Sequence, residues 1–301
     1  MGWNSLQSFG CGGGCLRNPY GCVKHETIKW IADKLVSEGW RDLGYKYVIL
    51  DECWQDITRD IWTNKLIGDK FRFHQGMKAL GKYIHSKGLL FGINIGSGTT
   101  TCKGFPGSAH FLELDAKTLA EWEVDYVKIN SCNTPPHSLL DVFEKFVKNL
   151  NKTGRPMVIL CNYISYDQWF NKPHLIDWKR LKNTCNLIRD PINIENSWSS
   201  VSRIINQYIL RNDILVKTAG PGTWNDPDMM ILGHSGLSDD QKRVHMGMWC
   251  MFAAPLLITT DMVKWDKVSA SLFSNKYLIA IDQDKGGHLA EYITTRNDVQ
   301  V

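Results

Sequence analysis

The chain has 301 residues, of which 43% are apolar and 22% are charged, and its formal net charge is +4. This length is enough for one large domain or two smaller ones with a substantial core. The positive charge is spread without a run of Lys and Arg, so it gives no support for a nucleic-acid or membrane-surface partner. No segment approaches 18 consecutive apolar residues, and the first residues lack the pattern of a signal peptide, so we expect neither a membrane span nor a signal sequence.

Short apolar runs with β character alternate with helical patterns along nearly the whole chain. The predicted strands are 1–3, 47–50, 89–95, 126–129, 157–160, 187–189, 215–219 and 256–258, and the clearest predicted helices are 27–39, 76–87, 115–123 and 139–150. This alternation predicts a parallel sheet. Eight βα units in roughly 250 residues or more are typical of an α/β fold of the TIM (β/α)8 barrel class. No glycine-rich phosphate loop follows a predicted strand, so no cofactor is expected.

Polar side chains occupy the ends of most predicted strands, which is where a TIM barrel carries its functional residues. They are Asp51, Glu52, Asn94, Lys128, Asn130, Asn162, Arg189, Asn193, Asp226 and Asp228. Such groups hydrogen-bond sugar hydroxyls, and Trp3, Trp54, Trp224 and Tyr166 add flat apolar faces that suit pyranose rings. The alternative is that any one of these polar residues simply begins a loop.

The nine cysteines are not arranged as paired CxxC motifs and the nine histidines include no HExxH, so no metal site is expected. The sequence Asn151-Lys152-Thr153 is an N-glycosylation sequon. Disulfide bonds and a glycan at Asn151 both belong to an oxidising compartment.

Several blocks carry a resemblance to one family, in that family's order. They include Met1-Gly2-Trp3-Asn4-Ser5, Asp51-Glu52-Cys53-Trp54, His85-Ser86-Lys87-Gly88-Leu89, Tyr126-Val127-Lys128-Ile129-Asn130-Ser131-Cys132 and Trp224-Asn225-Asp226-Pro227-Asp228-Met229. The chain resembles the α-galactosidase and α-N-acetylgalactosaminidase (melibiase) family of glycoside hydrolases. The resemblance implies a TIM barrel that removes terminal α-linked galactose or N-acetylgalactosamine with retention of configuration, in a lysosomal or secreted protein.

The same resemblance assigns roles to individual residues. The nucleophile position falls on Asn130 and the acid/base position on Asn193, while Asp51, Glu52, Lys128, Tyr166, Arg189 and Asp228 fall on substrate-binding positions. It also implies disulfide bonds between Cys11 and Cys53, Cys15 and Cys22, Cys102 and Cys132, and Cys161 and Cys185. Cys250 is left over, and its apolar neighbours indicate a buried, inert thiol.

The catalytic positions depart from the family pattern, which has aspartate at both. A retaining glycosidase needs two carboxyl groups, and an amide neither ionises near neutral pH nor donates a full proton. Four further positions differ, at Leu6, Glu52, Asn94 and Asn162, where the family has an aromatic residue, an aspartate, a tyrosine and, in the galactosidase branch, a glutamate. We interpret the chain as a natural, catalytically impaired homologue whose ligand, if any, is an α-galactoside-type carbohydrate. The alternative is an active glycosidase that uses relocated carboxylates among Asp51, Glu52, Asp226 and Asp228.

The resemblance also predicts the domain organisation. Residues 1–284 correspond to the barrel, and residues 285–301 to the start of a truncated C-terminal antiparallel β domain, most of which is expected to be missing. Either the chain is a fragment, or the barrel stands alone and exposes an apolar face that the β domain normally covers, which would favour self-association, for example as a homodimer, or instability.

Overall fold

A computed structural model describes residues 1–11, 15, 21–163, 168, 170–260, 262, 265–296 and 299–300. The chain divides into two compact units, residues 1–163 with 183–185, and residues 164–182 with 186–301. The strands are β1 Gly2–Asn4, β2 Tyr47–Leu50, β3 Leu90–Gly96, β4 Tyr126–Asn130, β5 Val158–Asn162, β6 Leu187–Arg189, β7 Trp224–Asp226, β8 Leu257–Ile258, β9 Thr295–Arg296 and β10 Val299–Gln300. The α-helices are α1 Leu6–Phe9, α2 His25–Ser37, α3 Met77–Ser86, α4 Leu112–Glu121, α5 Leu139–Lys152, α6 Trp178–Thr184, α7 Trp198–Leu210, α8 Asn212–Thr218, α9 Asp239–Met251, α10 Lys267–Phe273 and α11 Lys276–Asp282. Strands β1 to β8 alternate with helices in the order of a (β/α)8 barrel.

The first unit contains five parallel strands that pair in chain order. The register aligns Gly2 with Tyr47, Tyr47 with Leu90, Gly92 with Tyr126, and Tyr126 with Val158. Strands that are covered on both faces read as continuous apolar runs, as Val48-Ile49-Leu50 does, and all three of these residues are buried.

The second unit contains β6 and β7, which pair in parallel, and a bridge from Met230 to Ile258 of β8. Helix α9 begins with a capping box, in which the Ser238 hydroxyl accepts from the Gln241 backbone N–H and the Gln241 side chain accepts from that of Ser238. Strands β9 and β10 form a short antiparallel pair.

One predicted strand is wrong. Residues 215–219 are helical or directly follow α8, and the seventh strand is Trp224–Asp226. A short apolar run fits a buried helical turn as well as a strand, and here Leu215 is buried from a helix. The carbonyl oxygen of Leu215 accepts hydrogen bonds from Thr218 Oγ1 at 3.0 Å and Asn225 Nδ2 at 2.9 Å, which close the end of α8.

Four disulfide bonds are present, in the pairs that the resemblance implied. They join Cys11 to Cys53, Cys15 to Cys22, Cys102 to Cys132 and Cys161 to Cys185. Cys250 is a buried free thiol, and burial raises its pKa to about 12, so it stays protonated and unreactive at neutral pH. Among the helices formed by the described residues, none combines the length and apolar character that a membrane crossing requires.

A buried ion pair fixes the loop after β2 to helix α4. Both terminal guanidinium nitrogens of Arg59 donate to the Asp115 carboxylate, at 2.7 and 2.6 Å, and Arg59 also donates to the carbonyl of Gly107 at 2.7 Å. Asp115 is fully buried, and burial raises the pKa of its carboxyl group despite the opposing pull of Arg59.

We expect Arg59→Met to destabilise the first unit by roughly 3–5 kcal/mol, because it leaves the Asp115 charge buried without its partner. Urea unfolding with the disulfides intact measures the change. Lys117→Met is the matched control, since it removes the exposed Lys117–Glu113 pair on the same helix and should leave the midpoint unchanged. Equal midpoints for Arg59→Met and the unmodified chain would contradict the expectation.

Candidate functional site

The carboxylate of Asp51 is the centre of a hydrogen-bonded cluster in the first unit. Its Oδ2 accepts from Lys128 Nζ at 2.9 Å and from Asn4 Nδ2 at 3.1 Å. Its Oδ1 accepts from Asn94 Nδ2 at 2.5 Å and from the backbone N–H of Glu52 at 2.9 Å. These four donors occupy the roughly four lone-pair positions of a carboxylate, so Asp51 has no free acceptor position for a ligand hydroxyl.

Strand register explains why these residues meet. Asn4 ends β1, Asp51 follows β2, Asn94 lies in β3 and Lys128 lies in β4, where it stands in register with Asn94. Burial alone would raise the pKa of Asp51, but the Lys128 charge and the donated hydrogen bonds hold it below its ordinary value. Asp51 is therefore ionised at neutral pH and serves as an acceptor rather than a proton donor.

A second pair of side chains lies at the ends of β4 and β5, two residues beyond Lys128 in β4. Asn130 and Asn162 are in register at the ends of β4 and β5, and Asn162 Nδ2 donates to Asn130 Oδ1 at 3.1 Å. The backbone carbonyl of Asn130 accepts from both the N–H and the hydroxyl of Ser97, each at 2.8 Å. The Asn130 side chain is buried and already engaged as an acceptor.

Other predicted residues of the first unit have structural partners. Glu52 Oε1 accepts from the backbone N–H of Lys103 at 3.3 Å, in the loop that the Cys102–Cys132 bond closes. Trp3 and Trp54 are fully buried, so the prediction that their faces are available to a sugar ring is wrong. Trp54 instead stacks edge-on against Trp122 and donates its indole N–H to the carbonyl of Asn94 at 2.8 Å.

The second unit holds a buried cluster around Arg189, at the end of β6. Its guanidinium forms an ion pair with Asp228 Oδ2 and a 2.9 Å bond to Asp190 Oδ1, and it donates to the carbonyl of Ile192 at 2.9 Å. Asp228 also accepts from the backbone N–H of Ile194 at 2.9 Å. Asp228 is therefore held by groups of its own unit.

Charge compensation in this cluster is internal. Burial alone would lower the pKa of Arg189, but Asp228, Asp190 and Asp226 together raise it, so the guanidinium stays charged. Burial raises the pKa of Asp190 above its ordinary range despite Arg189, and among the described residues Asp190 Oδ2 has no hydrogen-bond partner. Asn193, in contrast, is exposed, and its Oδ1 accepts a long 3.4 Å bond from Arg189.

The structure therefore brings Asp51 together with Lys128 and Asn94, Asn130 with Asn162, and Arg189 with Asp228 and Asn193. Tyr166 lies outside the described residues. Sequence reasoning missed two members, Asn4 and Asp190. The position of Asn4 at the end of the first predicted strand could have revealed it, whereas Asp190 is distinguished only by its burial.

Within the part of the chain that is described, no group of three or more His, Cys, Asp or Glu side chains is placed to hold a metal ion.

Comparisons with known proteins give one consistent result. A family model described as Alpha galactosidase A (Melibiase_2) matches residues 1–284. The chain is 39% identical over 288 residues to alpha-N-acetylgalactosaminidase from Rattus norvegicus, which covers 95% of this chain and 68% of that protein. It is 37% identical over 288 residues to alpha-galactosidase A from Homo sapiens, with 95% and 66% covered. The crystal structure of alpha-galactosidase I from Mortierella vinacea matches with a TM-score of 0.87 at 30% identity, over 100% of this chain and 76% of that one. The match over the whole chain confirms the predicted TIM-barrel class.

We expect Lys128→Met to lower the unfolding free energy at pH 7 by roughly 3–5 kcal/mol, since it leaves the buried Asp51 charge without its cation. In the unmodified chain the pKa of Asp51 is lower in the folded state than its ordinary value of 3.8. The ionised carboxylate therefore stabilises the fold at pH values above 3.8, and this stabilisation is lost as the pH falls through the folded-state pKa. Without Lys128, burial raises the pKa of Asp51. In acid the Asp51 carboxylate of the variant is then protonated, which removes the buried charge that destabilises it. The gap between the two chains should therefore be wide at pH 7 and narrow below about pH 4.

Urea unfolding across this pH range measures the gap. Lys148→Met removes an exposed lysine and serves as the control, for which no pH-dependent gap is expected. A Lys128→Met gap that stays constant from pH 7 to pH 3 would show that Lys128 does not set the ionisation of Asp51.

Proposed function

Because the chain belongs to the Alpha galactosidase A (Melibiase_2) family, we propose that it is a catalytically impaired glycoside hydrolase homologue, with α-galactoside-type carbohydrate as its ligand class. The residues at the family's nucleophile and acid/base positions are Asn130 and Asn193. Retaining hydrolysis requires a carboxylate that attacks the anomeric carbon and a carboxylic acid that protonates the leaving oxygen. Neither amide can perform these steps.

The hydrogen bond between Asn162 and Asn130 carries this proposal. The oxygen of Asn130 that stands in place of an attacking carboxylate oxygen carries no charge and accepts a bond from Asn162 Nδ2 at 3.1 Å. A neutral oxygen that is already donating electron density to an amide N–H is a poor nucleophile. The two amides are hydrogen-bonded to each other, which supports a position adapted to structure rather than to bond cleavage.

The alternative, in which other carboxylates perform the hydrolysis, is disfavoured by the hydrogen bonds and ion pairs that these carboxylates already make. Asp51 accepts four hydrogen bonds and is held ionised, so it has neither a free lone pair nor a proton to give. Asp228 is tied to Arg189 and to the backbone N–H groups of Ile194 and Met229. Glu52 is bonded to the loop at Lys103.

Turnover of aryl α-galactosides and aryl α-N-acetylgalactosaminides tests the proposal. We expect the unmodified chain to show no hydrolysis above the uncatalysed rate, and the double variant Asn130→Asp, Asn193→Asp to exceed it by at least about 10²-fold, because it regains a general acid and a nucleophile. Each single variant should fall well below the double, since both groups act on one bond.

Asn171→Asp is the matched control, because it makes the same amide-to-acid change at an exposed position. A known α-galactosidase assayed in parallel provides the absolute scale. Hydrolysis by the unmodified chain within tenfold of that enzyme, or of the double variant, would refute catalytic impairment and favour relocated carboxylates.

Sugar binding is a separate quantity, and Asn94 should limit it. Asn94 supplies one of the four donors that fill the Asp51 carboxylate, so Asn94→Ala frees an acceptor position for a sugar hydroxyl. We expect calorimetry with galactose and N-acetylgalactosamine to show millimolar or weaker binding by the unmodified chain, and at least about tenfold tighter binding by Asn94→Ala. Asn133→Ala, which removes an exposed amide bonded to Thr100, is the control. Tight binding by the unmodified chain would show that Asp51 is not blocked.

The remaining assignments rest on the proposed function. Relatives named for galactose and for N-acetylgalactosamine match the chain almost equally, so we propose the shared α-linked sugar class rather than one of the two. Arg189, Asp228, Glu52 and Tyr166 are the further proposed contacts. Four disulfide bonds, together with an exposed Asn151 at the end of α5, support a glycoprotein of an oxidising compartment, lysosomal or secreted.

A further inference from the structure

The loop that follows β2 forms a short hairpin over residues 55–68. Gln55 bridges Gly68 in antiparallel fashion, the N–H of Asp56 donates to the carbonyl of Ile67 at 3.0 Å, and the N–H of Asp60 donates to that of Lys65 at 3.0 Å. Asp60 also accepts from the N–H and the hydroxyl of Thr63 at 2.8 and 2.7 Å, which closes the tip. The hairpin backbone is therefore ordered by its own bonds.

Helix α4 holds this hairpin along its length. Arg59 binds Asp115 in the first turn of α4, and Lys65 binds Glu121 at the last residue of the helix, at 2.6 Å. The six steps along the chain from Asp115 to Glu121 span about 9 Å along the helix axis. The hairpin tip thus lies beside the last turn of α4.

The hairpin exposes large apolar side chains. Trp62 is 86% exposed, Ile57 81% and Ile61 78%, and Phe71, three residues after the hairpin, is 72% exposed. Among the described residues of the first unit, these four are the large hydrophobic side chains classed as exposed. Four large exposed apolar side chains within 15 residues of an ordered segment indicate an interaction surface.

The small size of the group indicates which kind of surface it meets. A stable protein–protein interface buries about 800 Å² per partner and involves about 20–30 residues a side, whereas four side chains on one hairpin offer a small part of that. The neighbouring exposed residues Thr63, Asn64 and Lys70 are polar and do not extend the apolar area. A lipid surface needs no matching partner and accepts a few large apolar side chains, with tryptophan favoured at its polar boundary.

We propose that the 55–68 hairpin, with Phe71, inserts into the interfacial region of a phospholipid bilayer and docks the protein there. Both basic side chains of the hairpin form ion pairs within the protein, Arg59 with Asp115 and Lys65 with Glu121, whereas its acidic side chains Asp56 and Asp60 accept hydrogen bonds from Thr58 and Thr63 and have no ion pair among the described residues. Insertion therefore depends on apolar contact and not on anionic headgroups. Zwitterionic phosphatidylcholine is the matching lipid class, and the interaction should be insensitive to salt.

Flotation of the full chain with phosphatidylcholine vesicles, disulfides intact, tests this docking. We expect the unmodified chain to float with the vesicles at both low and high salt. The double variant Ile61→Ser, Trp62→Ser should lower the partition coefficient at least about tenfold, because it removes two of the four apolar contacts. The control is Tyr277→Ser, which removes a side chain that is 85% exposed in α11 of the second unit and should float like the unmodified chain.

Three outcomes would overturn the proposal. The unmodified chain could fail to float at millimolar lipid, the Tyr277→Ser and hairpin variants could lose flotation equally, or flotation could require anionic lipid and vanish in high salt. Sedimentation without lipid addresses self-association, since a dimer that the hairpin double variant converts to a monomer would assign this surface to a second copy of the chain instead. Near-UV circular dichroism verifies that each variant is folded. We expect all of them to fold, because the substituted side chains are exposed.

Discussion

The burial of the Asp51 carboxylate is the constraint on which the first unit depends. A charge removed from water is tolerated when cations and hydrogen-bond donors replace the lost hydration. Asn4, Asn94 and Lys128 provide this replacement from β1, β3 and β4, while Asp51 itself follows β2. One carboxylate thereby joins residues from four successive parallel strands, and the register of those strands decides which residues can reach it. The same demand explains why a lysine is retained inside the unit although the residue two positions along, Asn130, has no charge to pair.

The sequence was sufficient to predict the larger features because they depend on patterns that repeat. Seven of the eight strands coincide with predicted apolar runs to within about two residues, since parallel strands are buried on both faces. The seventh was misplaced because the run around Leu215 is too short to distinguish a strand from a helical turn. Asp51 and Lys128 could be predicted to meet from their strand-end positions. The saturation of Asp51 by Asn94 could not, because it depends on side-chain distances that residue identity alone does not fix.

The two buried clusters handle charge in the same way within their own units. Asp51 is compensated by one lysine and several neutral donors, and Arg189 by Asp190 and Asp228. In both clusters the charged side chains are paired with one another. Asn130 and Asn193 differ in that one is buried and bonded while the other is exposed. A substitution at Asn193 should therefore disturb its surroundings less than one at Asn130.

Two of the disulfide bonds link segments that follow successive strands of the first unit: Cys11 with Cys53, and Cys102 with Cys132. Covalent links of this kind hold loop positions whatever the chemistry of the neighbouring side chains. A side-chain substitution near these bonds then changes its own contacts with little effect on the backbone positions that the bonds hold. In evolutionary terms, the cross-links separate selection on stability from selection on activity. The residues around Asn130 can therefore change without displacing the loop that the Cys102–Cys132 bond holds.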